Sequence, residues 1–459
     1  MASRPPVTHG ARAWAPLVPM LLGILAGALS VSMVNTAVPR IVDDLGVDDA
    51  ARPWIVGAYP LALAGCIVIG ARLGDWIGRR TVVAIGLGGY AVLNLLAAVQ
   101  VSGLALIGVR AALGVMSALV IASVVSSIGV LYRGRDLVIA NGLWVGVFGA
   151  GSAIGPTLGG FITEHLGWPA VFAACAPVAM IGLALVWLVP NTRAEHPAPW
   201  DPLSIGTSTV GLAVTLLGLQ RLAFDALTGA VLLAIGAACL AVFWIRQRRL
   251  ARPFLDVRLF SNGSFTLAVL QILAAAGTAS AATYLLSVHL QAAAGLTPTA
   301  TGIALIPQAL ATVAGGVLAG IVVRLVSDRG ALVLALVIQA AGLAGLAIWP
   351  TSAAAPLIGI GVGMGLVGTL ATSRLFEVAP RSRAADVGAI QEIGFALGGA
   401  AWIAMLDAVT VVGGSVGFAL ALGIASGAVA LIAVWSTVDL VRHGRSSGPS
   451  SAERSTPGI

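Results

Sequence analysis

Charge is scarce in this chain. Only 9% of its 459 residues are Asp, Glu, Lys or Arg, against roughly 25% in a soluble globular protein. Lysine is absent altogether, so all 25 basic residues are arginine. With 58% hydrophobic residues, the chain cannot cover a water-facing surface, which excludes a soluble enzyme, a coiled coil and a disordered chain. Cysteine is nearly missing too. Cys66, Cys175 and Cys239 each sit inside an apolar run and read as small core residues, neither a disulfide pair nor a metal site. The five histidines are scattered, with His9, His196 and His443 in tails or loops. No cluster of His, Asp or Cys stands at ligand spacing, so the sequence implies no metal, no cofactor and no enzyme chemistry. The net charge of +7 is dispersed among the ends of apolar runs, an arrangement that argues against a nucleic-acid partner.

What the chain has instead is glycine, 58 residues of it, and long apolar runs under a mean hydropathy of +1.00. A helix crossing the hydrocarbon core needs about 20 apolar residues. The runs fall at 14–38, 53–73, 81–100, 104–131, 137–162, 169–190, 204–221, 227–245, 264–290, 300–324, 330–349, 354–373, 387–408 and 413–441. They do not alternate as barrel strands do, so the fold class is all-α integral membrane with 14 transmembrane helices in a lipid bilayer. The first run is too long for a cleaved signal peptide and reads as a retained helix.

The arginines orient these helices. With the N-terminus in the cytoplasm, 21 of the 25 fall on the cytoplasmic side; only Arg40, Arg52 and Arg221 fall outside, and Arg110 lies within a span. Both termini are therefore expected in the cytoplasm. The helices group as 6+2+6: a cytoplasmic tail at 1–13, a six-helix bundle at 14–190, a linker with two extra helices at 191–263, a second six-helix bundle at 264–441, and a disordered tail at 442–459. Two similar halves around a central cavity is a common transporter plan.

Three stretches carry chemistry. The loop Ala71-Arg-Leu-Gly-Asp-Trp-Ile-Gly-Arg-Arg80 sets Asp75 near a helix end, with Gly78 in a tight turn and Arg79 and Arg80 after it. An acid beside a helix terminus and a basic pair can form a breakable latch. A plain positive-inside anchor would account for the arginines but not for Asp75 or the glycines. Arg110 lies about seven residues inside its helix, where a charge costs at least a few kcal/mol unless it meets a partner or a cavity; snorkelling is the alternative. The fifth run contains Gly151, Gly155, Pro156, Gly159 and Gly160, a density of small residues that lets another helix approach closely, with a bend at the proline. Ordinary packing is the alternative there.

In order and spacing these stretches resemble the major facilitator superfamily, in its fourteen-helix drug–proton antiporter branch. The family's loop motif, Gly-x-Leu-Ala-Asp-Arg-x-Gly-Arg-Lys, is matched at Leu73, Asp75, Gly78, Arg79 and Arg80, with Ala71 and Trp76 as departures. Its fourth-helix motif is matched at Arg110 and Gly114, with Leu113 where glutamine is usual. Its antiporter motif is matched at Gly151, Gly155, Pro156, Gly159 and Gly160. The stretch Arg252-Pro-Phe-Leu-Asp-Val-Arg-Leu-Phe260 resembles the branch's loop before helix nine. In the first helix, Ser30 stands where the family's signature has an acid ahead of Asn35.

The resemblance implies a proton-coupled exporter of small lipophilic compounds (drugs, antibiotics or secondary metabolites) in a bacterial inner membrane, monomeric, with protons as the second partner. A proton-coupled uptake symporter is the alternative. Glu392 is the one acid placed well inside a span. Partial desolvation disfavours the charged form of such a carboxyl, so Glu392, with Arg110, is the expected proton-coupling group. Ser30, Asn35, Trp144, Phe148, Gln271, Tyr284 and Gln391 are the expected cavity lining.

Overall fold

The computed structural model describes residues 13–47, 51–194, 199–222, 225–292 and 295–446. Fourteen helices run through them: α1 (Leu17–Leu45), α2 (Arg52–Ile77), α3 (Arg79–Ala98), α4 (Gly103–Leu131), α5 (Gly134–Leu166), α6 (Trp168–Ala184), α7 (Pro202–Leu222), α8 (Ala226–Arg249), α9 (Gly263–Ala292), α10 (Pro298–Val326), α11 (Asp328–Ile348), α12 (Ala354–Val378), α13 (Ala384–Gly413) and α14 (Gly417–Ser446). All fourteen contain a stretch long and apolar enough to cross a membrane, and no strand occurs among the described residues. This is a multi-pass membrane protein. Helices satisfy every backbone polar group internally, which is what the hydrocarbon demands.

Helix ends follow backbone hydrogen bonding and capping more than hydropathy. The apolar run at 14–38 ends seven residues before α1 does, and Asp44 in that extension accepts a hydrogen bond from Trp168 Nε1 at 3.0 Å. The Asp225 carboxylate caps α8 by accepting from Thr228 N at 3.2 Å, and the bonds from Thr228 hold its carboxyl below the ordinary range. At the end of the chain α14 continues to Ser446, so the first five residues of the tail expected to be disordered are helical. Residues 1–12 and 447–459, the rest of the two expected tails, lie outside the described residues.

The first six and last six helices pack by the same scheme. In the first half α2 lies on α4, α1 on α5, and α3 on both α4 and α6; in the second half α10 lies on α12, α9 on α13, and α11 on both α12 and α14. The two halves meet through α5 on α10 and through α2 on α13, which are equivalent contacts under that correspondence. Even the sharp turns correspond: Gly78, between α2 and α3, has φ 102°, and Ser327, between α10 and α11, has φ 87°. Helices α7 and α8 pair with each other, and α7 rests on α2 and α13 at the side of the bundle.

An even number of crossings puts the start of α1 and the end of α14 at one end of the molecule, here called the termini end. The bundles close on each other at this termini end. Asn141 Nδ2 on α5 donates to Ser373 Oγ on α12 at 3.1 Å, and Gly142 and Gly316 bring α5 and α10 to backbone contact. Gly129 on α4 faces the Phe376 ring. The chain entering α1 is fixed here too: Trp14 stacks on Tyr132, whose hydroxyl donates to Ala13 O at 3.0 Å and whose burial pushes its pKa up to about 12.

Candidate functional site

At the termini end, six charged residues form an unbroken alternating chain. Arg79 Nη2 contacts Asp75 Oδ1 at 3.0 Å, Asp75 Oδ2 contacts Arg72 Nη1 at 3.3 Å, and Arg72 Nη2 pairs with Asp386 Oδ1. Asp386 Oδ2 meets Arg383 Nη1 at 3.4 Å, and Arg383 Nη2 meets Asp256 Oδ2 at 3.2 Å. The chain runs from α3 through the end of α2 to the first turn of α13 and on to the loop after α8. Three acids face three arginines, so the cluster is neutral. Arg72, Asp75, Arg79 and Asp386 are all buried.

The local sequence explains how this is held. Gly78 must take a positive φ for α3 to start immediately after α2, a conformation L side chains rarely adopt. A Cβ there would also strike Asn191. That close approach seats the stretch after α6 on the turn: Arg79 N donates to Thr192 O at 3.0 Å and Ala194 N to Asp75 O at 3.2 Å. Arg79 further donates to Ser126 Oγ and to Thr192 Oγ1, both at 3.1 Å.

Of the four expected latch residues, Asp75, Gly78 and Arg79 come together; Arg80 is a correction. It is partly exposed, and no ion pair reaches it among the described residues. Its place is taken by Arg72, one turn before Asp75. Asp386 and Arg383 were also missed by the sequence reading. The signal was the acid in the first turn of α13, a favourable place for negative charge, but nothing local tells that it faces α2.

Arg110 on α4 is 0% exposed. Its Nε donates to Ile55 O at 3.0 Å, and its guanidinium carbon lies 4.9 Å from the Tyr59 ring centroid. Gly114, one turn on, lets α2 approach, since a Cβ there would strike Tyr59 O. Nη1 and Nη2 have no hydrogen-bond partner among the described residues. Tyr59 Oη donates to Ser117 Oγ at 2.6 Å, and Tyr90 Oη donates to Ala26 O at 3.1 Å. Ser30 is fully buried on α1 in this same first bundle. Its hydroxyl has no hydrogen-bond partner among the described residues.

Helix α5 carries two glycine faces. Gly142, Gly146 and Gly149 face α10, and Gly151, Gly155 and Gly159 face α1. Cβ atoms on the second set would strike Ala28, Ser32, and both Met33 and Thr36. Ser32 Oγ also donates to Ser152 O at 2.8 Å. Pro156 faces Gly302 of α10, where an added Cβ would come to 3.6 Å from it. Gly160 has nothing near it, so it takes no part in the α1 contact. Asn35 is exposed.

Between the halves lies an aromatic group. Trp144 on α5 stacks on Phe148, centroids 6.3 Å apart, and meets Phe395 on α13 at 5.6 Å. Trp144 is buried with its Nε1 unpartnered, and Phe148 is 47% exposed. One turn from Phe395, Gln391 is buried with an unpartnered Oε1, and its Nε2 donates to Glu392 Oε1 at 3.4 Å. Glu392 is 9% exposed and has no ion pair among the described residues. Tyr284 on α9 is exposed and faces Asp407 of α13. Gln271 Nε2 donates to Ser436 Oγ of α14 at 2.9 Å, inside the second bundle. Gln308, which donates to Thr283 Oγ1 at 2.9 Å, bridges α10 and α9 and was not anticipated.

The Major Facilitator Superfamily signature matches residues 20–403. The chain is 32% identical over 409 residues to the multidrug efflux pump LfrA of Mycolicibacterium smegmatis, spanning 87% of this chain and 81% of that protein. It is 28% identical over 407 residues to the tetracenomycin C resistance and export protein of Streptomyces glaucescens, spanning 86% and 75%. The solved proton:xylose symporter XylE superposes with a TM-score of 0.67 at 15% identity, covering 93% of this chain and 96% of that one. That last likeness speaks to the fold alone. With the signature across most of its length, fourteen apolar helices and two six-helix halves packed on one scheme, this chain belongs to the Major Facilitator Superfamily.

Proposed function

We propose that this membrane transporter exports small lipophilic compounds, drugs or antibiotics, across the bacterial cell membrane in exchange for protons, by alternating access, as a monomer with both termini in the cytoplasm. The observation that carries the reading is α5, whose Gly151, Gly155 and Gly159 seat α1 at backbone distance while its opposite face seats α10. A helix wedged between both halves in this way resists leakage as the halves rock. The names of the relatives support export, and the arginine distribution supports the orientation.

In this reading the drug lies against Trp144, Phe148 and Phe395 between the halves, with Gln391 supplying a hydrogen bond. The alternating charge chain around Asp75 and Asp386 closes the cytoplasmic end, and breaks when that end opens. Glu392 exchanges the proton: it is buried, and no cation pairs with it among the described residues. Because Arg110 has no carboxylate partner among the described residues, its cluster offers a permanent dication no counter-charge, and neutral or weakly charged compounds are the expected cargo.

The test uses a pump-deficient bacterial host and inverted vesicles made from it. Expression should raise resistance to neutral lipophilic antibiotics, and acidifying the vesicle interior should drive those compounds inward. Uptake into intact cells, or strong transport of dications with none of neutral compounds, contradicts the proposal.

A further inference from the structure

Helices α7 and α8 bring with them a loop whose contacts exceed what a connection needs. Gln247, in the last turns of α8 and 0% exposed, uses both ends of its amide. Its Oε1 accepts from Phe254 N at 2.6 Å and Leu255 N at 3.1 Å, while its Nε2 donates to Ser204 Oγ on α7 at 2.6 Å. These bonds fold the loop back and set Phe254, 1% exposed, against Arg72. The Phe254 carbonyl accepts from Arg72 Nε, and the Phe254 ring centroid lies 5.5 Å from the guanidinium carbon. Two residues on, Asp256 holds Arg383 at 3.2 Å. Both arginines that pair with Asp386 are therefore held in turn by one short stretch, Phe254–Asp256, which belongs to neither bundle.

We propose that Phe254–Asp256, hung from Gln247, is a strap that positions Arg72 and Arg383 for Asp386, and that the α7–α8 pair is its mount. A guanidinium has five donors and a long, mobile stem. With the Phe254 carbonyl and ring in place, Arg72 turns one edge to Asp75 on its own helix and the other to Asp386 across the bundle interface. Without them nothing fixes that bridging geometry, and Arg72 is free to pair with Asp75 alone. The strap thus sets how firmly the halves are held at the termini end without contributing to the Arg72–Asp386 pair itself. It rests on the proposal above that this pair is a gate which opens during transport.

The full-length protein in lipid nanodiscs provides the test, with its native cysteines replaced by alanine and Ser373→Cys as a single probe. Ser373 is buried where α5 meets α12, so its alkylation rate by a maleimide reads opening at the termini end. Asp386→Asn should raise that rate severalfold, and Gln247→Leu should do the same without touching a charged residue. Gln247→Glu, which keeps an acceptor for the two loop N–H groups, should stay close to the parent. In the Asp386→Asn background, Gln247→Leu should add nothing. Phe254→Leu gives a second route if Gln247→Leu does not fold, and should raise the rate likewise. If Asp386→Asn raises the rate while Phe254→Leu and folded Gln247→Leu do not, the strap is wrong and the gate stands. Additive effects of Gln247→Leu and Asp386→Asn also overturn the strap. No rise with Asp386→Asn overturns the gate and the strap with it.

Discussion

Arg72 and Asp386 stand 314 positions apart in the chain and pair directly in the structure, the central link between a helix of the first bundle and one of the second. Both are buried, so the pair is held where charge is costly and partners are few. Removing one member of such a pair leaves an uncompensated charge, at a cost of roughly 3–5 kcal/mol. A closed state that differs from the open one by only a few kcal/mol is tipped by a change of that size.

The consequence for Asp75 is direct. Asp75→Asn removes the acid that Arg72 and Arg79 share, leaving Arg72 with Asp386 alone and Arg79 with no acidic partner among the described residues. Efflux should fall by about tenfold or more, the size of effect expected from a shift of 1.4 kcal/mol or above, while membrane insertion stays normal. Arg80→Ala, at a position without an ion pair, should transport as the parent does. Equal losses in both variants would return this loop to the role of an anchor.

The glycines of α5 divide in the same testable way. Gly159→Ala places a Cβ 2.7 Å from Met33 Cα and 2.6 Å from Thr36 Oγ1, whereas Gly160→Ala meets nothing within 4 Å. Overpacking of a tight contact costs about 1–3 kcal/mol. The first variant should lower both transport and thermal stability, and the second should leave both unchanged. Matching behaviour of the two would show that the motif is not read through α1.

Much of this was legible in the sequence, and the limits have physical causes. Fourteen spans followed from apolar run length, because the bilayer imposes that length on any spanning helix. Asp75, Gly78 and Arg79 stood out because a tight turn and two opposite charges lie within five residues. Asp386 did not, because its partner is set by how two bundles dock, and one sequence carries no trace of that. Gln271, which donates to Ser436 of α14, shows a different limit: a polar residue in an apolar helix must find a partner, yet sequence does not tell whether the partner is a neighbouring helix or a ligand. The end of α1 lies beyond its apolar run because a backbone bond decides it: Gly46 is left-handed and its N–H donates to Val42 O.

Orientation is open to direct measurement. Ser102, between α3 and α4, and Ser261, before α9, are both exposed and lie at opposite ends of the bundle. Single cysteines there should label from opposite sides of the membrane, Ser102→Cys from outside intact cells and Ser261→Cys only after permeabilisation. External labelling of both would overturn the topology.

Asp201 offers a pH-dependent case outside the spans. Its carboxylate accepts from Arg246 Nε at 2.9 Å and Nη2 at 3.1 Å, and those bonds bring its pKa from 3.8 down to about 2. A pKa depressed in the folded state means stability that is present above the unfolded value and lost as pH falls through the folded one. Asp201→Asn should therefore melt at a lower temperature than the parent at pH 7. The gap should persist to about pH 4, near the unfolded value, and close between there and pH 2. A gap independent of pH would mean that the ion pair contributes nothing and only the hydrogen bond to Ser204 matters.

Glu392 carries the strongest claim about coupling. It sits on α13 six residues beyond Asp386, about 9 Å farther along the helix at 1.5 Å per residue, so the group that would exchange the proton and the acid that would close the gate ride on one rigid element. Its single hydrogen bond among the described residues comes from Gln391, which leaves the carboxyl free to change protonation without breaking a network. An exporter driven by protons needs a group that loads from one side, unloads to the other and is disturbed by the drug in between. Glu392→Gln keeps size and hydrogen-bonding capacity but removes the ionisable group. The expected result is loss of efflux driven by a pH gradient, with exchange of labelled for unlabelled drug across the membrane preserved, because exchange needs the gate but no net proton movement. If gradient-driven efflux survives in full, the coupling group is another acid, and Asp407, facing Tyr284 between α13 and α9, is the next to replace. If exchange is lost along with efflux, Glu392 holds the drug or the helix and not only the proton.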